Sequence, residues 1–61
     1  MDAAKRKQVV GDLVNLAREY NRKGDTTLRN QALRNLENAC LTLAHYRAAE
    51  REVYRTEGKQ Q

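Results

Sequence analysis

Apolar residues recur every three to four positions from Val9 to Tyr20 and again from Leu28 to Tyr46. One strong turn signal, Gly24-Asp25-Thr26-Thr27, separates the two runs. This spacing is the signature of amphipathic helices and is incompatible with the two-residue alternation of half-buried strands. Proline is absent, glycine occurs three times, and Leu, Ala, Arg, Glu, Asn and Gln dominate. That is helix-forming material with little punctuation. An all-α fold is predicted.

The first helix is expected from about Asp2 to Lys23. Val9, Val10, Leu13, Val14, Leu16, Ala17 and Tyr20 fill one arc, at about 100° per residue. Asp2–Arg6 and Glu19–Lys23 are spaced i,i+4 with the acid first, the favourable order. Arg22 and Lys23 suit the negative end of the helix dipole. Gly24 suits the left-handed closing position, and Asp25, Thr26 or Thr27 suits the cap of the next helix. The turn is expected over about residues 24–26 and the second helix from about Thr27 to Glu57, ahead of a frayed tail at 58–61. Its main stripe is Leu28, Ala32, Leu33, Leu36, Ala39, Cys40, Leu43 and Tyr46.

So short a connection favours antiparallel neighbours. The 61 residues then form a single helical-hairpin domain in which Tyr20 faces Leu28, Leu16 and Ala17 face Leu33, Leu13 meets Leu36, and Val9 and Val10 meet Cys40. The second helix outruns the first beyond about Ala48, so Val53 and Tyr54 overhang. Leu41, Ala44 and Ala48 widen the apolar surface to one side. A chain of this size is marginal alone. Two hairpins packed as a four-helix bundle would cover the excess, so a homodimer is expected. The expected interface is Leu36, Cys40, Leu41, Leu43, Ala44, Ala48, Val53 and Tyr54.

Chemistry has few footholds. Cys40 and His45 are the sole cysteine and histidine. On a continuous helix they lie about 140° apart, which predicts a buried thiol and a solvated imidazole rather than a metal site or a Cys–His nucleophile. Glu50 sits near the apolar stripe without a cleft and is expected to pair with Arg47, Arg51 or the Ala4–Lys7 segment. Glycines are too scattered for a phosphate loop. No cofactor, metal or catalytic residue is predicted, and the chain is expected not to be an enzyme. A single cysteine gives no disulfide framework, and the first residues lack an apolar leader core. Together these favour a reducing, cytoplasmic setting. The first helix is basic and amphipathic, but Asp12, Glu19 and the absence of Trp and Phe argue against membrane binding.

Twelve Lys and Arg against eight Asp and Glu give a net charge of +4. Lys5, Arg6 and Lys7, together with Arg47, Arg51 and Arg55, are expected at the same open end of the hairpin. There they would form a surface for phosphates or acidic side chains. Stacking aromatics over a basic groove are missing. The predicted architecture is similar to the Rop family of plasmid-encoded RNA-binding hairpin dimers, without any shared motif.

The function predicted is that of a small regulatory or adaptor protein, or an inhibitor, acting by protein–protein binding. Bacteriophage and plasmid accessory proteins often have this size and form. The apolar edge of Leu41, Ala44 and Ala48 and the overhang with Val53 and Tyr54 are the expected contacts, and Val53→Asp with Tyr54→Ala is expected to abolish partner binding while leaving helicity nearly intact. The alternatives are a nucleic-acid-binding hairpin dimer and a structural subunit of a larger assembly.

Overall fold

The computed structural model describes residues 2–55. Among the described residues there are three helices and no strand: α1 (Ala3–Lys23), α2 (Thr26–Ala39) and α3 (Leu43–Tyr54). The all-α expectation holds. The single second helix from about Thr27 to Glu57 does not, because the chain turns at Cys40–Thr42 and α3 folds back. Residues 56–61, which carry the expected helix end and tail, lie outside the described residues.

Each helix begins on a side chain that accepts an orphan backbone N–H. Asp2 accepts from the Lys5 N–H at 2.8 Å, Asp25 from that of Leu28 at 3.1 Å, and Thr42 from that of His45 at 3.1 Å. Gly24 closes α1 at φ 81°, where a side chain would be strained. Its N–H donates to the Asn21 carbonyl oxygen, and the Asp25 N–H donates to that of Tyr20 at 3.0 Å.

The turn at Cys40–Thr42 has no glycine or proline. Cys40 and Thr42 are both extended, at φ −83° and −135°. A continuous helix from Thr26 to Tyr54 would measure about 43 Å against about 31 Å for α1, leaving its last turns unpacked. Breaking it gives up a few helical hydrogen bonds, partly recovered at the Thr42 cap. It gains the burial of Ala49 and Val53 against α1 and α2. Burying a valine side chain alone contributes about 1.5–3 kcal/mol, which offsets hydrogen bonds worth about 0.5–1.5 kcal/mol each.

The core is Ala17, Ala32, Leu33, Leu36, Ala49 and Val53, with Val10, Leu13, Val14, Tyr20, Cys40 and Tyr46 packed around it. Each helix contributes one alanine to it. Two arginines tie the third helix down. Arg18 of α1 donates from Nη1 to the Glu52 carbonyl oxygen at 2.7 Å. Arg29 of α2 donates from Nη1 to Asn21 Oδ1 at 2.9 Å, and its guanidinium carbon stands 5.4 Å from the Tyr54 ring centroid. Arg29 thereby joins the end of α1, the start of α2 and the end of α3.

Candidate functional site

The corner between α2 and α3 exposes two large apolar side chains. Leu41 is 65% exposed and Leu43 59%. Next to Leu41 is a groove of about 220 Å³, lined by Ala3, Arg6, Lys7, Val10, Cys40, Leu41 and His45. Its floor comes from the first turns of α1 and from the corner. Arg6, Lys7 and His45 form the rim. Small-molecule sites usually enclose about 300–1,000 Å³, so this groove matches one bulky side chain rather than a whole cofactor.

The charged side chains that line the groove are all basic. No carboxylate lines the groove. Among the described residues neither Arg6 nor Lys7 forms an ion pair, so the expected Asp2–Arg6 pair is not made. Asp2 is instead the α1 cap. Glu19 does reach Lys23 at 3.8 Å, and Arg22 at 2.9 Å. The N-termini of α1 and α3 meet here, neither with an acidic residue in its first turn. Their partial positive charges are partly offset by the partial negative charge at the C-terminus of α2, which Cys40 closes on the same groove.

Breaking the helix also changes the relation between Cys40 and His45. A continuous helix would separate them, whereas the turn places both on one groove. Among the described residues no group of three or more His, Cys, Asp or Glu is placed to hold a metal ion. Burial pushes the Cys40 thiol above its usual range, the opposite of what activates a nucleophile. Glu50 is half-buried and accepts a long 3.4 Å hydrogen bond from the Tyr46 hydroxyl; among the described residues it forms no ion pair. Desolvation, and then the nearby Glu50 and Glu37 carboxylates, raise the Tyr46 phenol.

The expected interface residues part company. Leu36 and Val53 are in the chain's own core, Val53 at 3% exposure, so Val53 is not an overhang. Cys40 and Leu41 line the groove. Leu43 opens onto the other side of the corner, beside Tyr46 and Glu37. Ala44 and Ala48 are exposed on α3, away from the core, among Arg47 and Arg51. Tyr54 lies under Arg29 at the far end of the bundle.

The expected basic patch is likewise divided. Arg6 and Lys7 share the groove, and Lys5 is exposed behind them. Arg47, Arg51 and Arg55 run along α3 away from that end. Glu52 meets Arg18, which is about 18 Å along α1 from Arg6. Arg55 is paired with Glu52 at 3.2 Å.

Sequence periodicity missed the groove because it treated Cys40–Thr42 as helix. It also missed Arg29 as a junction, since a 25-residue separation on one straight helix rules out contact with Tyr54. Comparison with protein-family models, curated proteins and solved structures finds no match to this chain.

Proposed function

We propose that the chain is a small non-enzymatic regulatory or adaptor protein that acts by binding another protein, with its contact surface centred on the α2–α3 corner. The observation that carries this reading is the exposure of Leu41 and Leu43 together at one corner, beside a carbon-floored groove. Clustered exposed apolar residues with a polar rim are typical of protein contact sites. A pull-down from the native host, scored with and without nuclease, tests it. Capture of a nuclease-resistant partner that is lost on Leu41→Asp with Leu43→Asp supports the reading. Nuclease-sensitive capture opposes it.

Self-association belongs to the same proposal. Leu16 and Leu28 are 43% and 37% exposed. Leu16 lies about 160° around α1 from Arg18, which reaches α3, and Leu28 about 180° around α2 from Glu37, which borders α3. Both therefore occupy the α1–α2 face opposite α3. Three of the six core residues are alanine, a small core for a chain of this length. A second copy on this face would enlarge it, giving a six-helix dimer in place of the four-helix bundle expected from the hairpin. Sedimentation equilibrium should give a dimer that Leu16→Glu converts to a monomer; a wild-type monomer throughout the micromolar range argues against it.

A nucleic-acid reading retains one specific support: Arg47 and Arg51 are exposed one turn apart on α3, and among the described residues neither forms an ion pair. Binding through them would weaken steeply with salt. Absence of a gel shift with RNA and DNA at low salt removes this reading.

A further inference from the structure

We infer that the groove beside Leu41 receives an acidic amphipathic helix from a partner protein, one large apolar side chain entering between Val10, Cys40 and Leu41 while flanking carboxylates meet Arg6 and Lys7. This rests on the protein-binding reading and specifies the chemistry of the partner.

The volume of the groove selects a single anchoring side chain. Its walls select the rest of the ligand. Ala3, Val10, Cys40 and Leu41 offer carbon and a thiol, whereas the rim offers Arg6, Lys7 and His45 with no carboxylate. Arg6 is half-buried, so its stem covers apolar surface while its charge stays at the rim. Two helix N-termini and the C-terminus of α2 meet at the same end and partly offset one another, so the rim side chains set the sign of the potential. Asp2, at the start of α1, already accepts the Lys5 N–H, and Glu37 lies on the other side of the corner, outside the groove lining. An apolar anchor with acidic neighbours complements this surface, and a basic segment is repelled.

Backbone chemistry favours a helix. Among the described residues there is no strand, hence no sheet edge to pair with an extended peptide. An extended ligand would leave main-chain groups unpaired on an apolar floor. A helix satisfies them internally and presents an anchor with carboxylates three or four positions away on the same side. Nucleic acid fits less well, because the floor has no aromatic ring for a base to stack on.

Selection from a random peptide display library against the intact chain tests this. Counter-screens use Leu41→Asp and the double variant Arg6→Glu with Lys7→Glu, each checked for wild-type helicity. Lys7 and Leu41 are exposed and Arg6 half-buried, and substitutions at the surface seldom disturb folding. Enriched sequences should carry one Leu, Ile, Phe, Tyr or Trp with Asp or Glu three or four positions away. A synthetic peptide of that consensus should bind at least about tenfold more weakly to either variant. Enriched peptides without acidic flanks, or unaffected by both variants, overturn the groove assignment and leave protein binding standing. So does a change in oligomeric state on Leu41→Asp, which would make a second copy the occupant. Failure to enrich any peptide, with tight low-salt binding of single-stranded RNA, overturns both.

Discussion

Val53 separates the three-helix fold from a hairpin with an overhanging end. At 3% exposure it sits with Leu33, Leu36 and the three core alanines. Val53→Ala removes two buried carbons, about 0.8 kcal/mol each, and leaves a cavity that adds to the loss. The total is about 2 kcal/mol. In a domain this small, each kcal/mol moves Tm by about 4–8 °C, so a fall of about 8–16 °C is expected. Val53→Asp is harsher. An uncompensated buried charge costs several kcal/mol, comparable with the whole stability of about 3–9 kcal/mol expected for a chain of this length. Undocked, the 12-residue α3 is too short to stay helical in water. Far-UV circular dichroism should then lose at least a quarter of its helical signal. Ala48→Asp, on the exposed side of the same helix, is the control and should change little. Val53→Asp with wild-type helicity and Tm would refute the packing of α3.

Arg29→Ala should cost about 1–2 kcal/mol in urea denaturation through loss of the Asn21 hydrogen bond and the Tyr54 contact. Arg34→Ala, exposed on the same helix, should be nearly neutral, and equal effects would contradict the junction role. Gly11 is helical and a Cβ there would meet open space, so Gly11→Ala should raise stability by about 0.5–1 kcal/mol; a destabilised variant would place an unseen contact on that face. The Tyr46 phenol holds its proton to higher pH in the folded protein than in the unfolded chain. The folded state therefore binds more protons between the two values, and stability falls as pH rises above about 10. Tyr46→Phe should flatten this alkaline limb in pH-dependent melts, and an unchanged limb would count against it.

Much of the fold was legible in the sequence. The α1 stripe, the Gly24 closure and the Asp25 cap follow from periodicity and turn chemistry, and the Val10–Cys40 proximity follows from folding back at Gly24. The third helix was not, because the turn at Cys40–Thr42 carries no glycine or proline. Thr42 also has His45 where a reciprocal capping box would have Glu or Gln. A subtler signal was present. On one continuous helix Val53 lies about 100° from Leu36, and Ala49 about 140°. A core stripe that slips so far out of phase cannot pack on a single straight partner. Phase coherence, rather than turn residues, marks this break. The groove depends on the break: Val10 and Cys40 are neighbours in the hairpin as well, but Leu41 and His45 join them only once the helix ends at Cys40.

The return of α3 along α2 is tested most directly by a distance. With Cys40 replaced by serine, spin labels at Asn30→Cys and Arg51→Cys would be about 32 Å apart on a continuous helix. Packed antiparallel at the usual 8–10 Å between axes, they should be about 20 Å apart or less. Electron–electron double resonance, with labelled chains diluted in unlabelled protein to suppress distances between copies, resolves the two. A dominant short distance is the result expected for the three-helix fold; a dominant distance near 32 Å would contradict it, and the groove beside Leu41 with it.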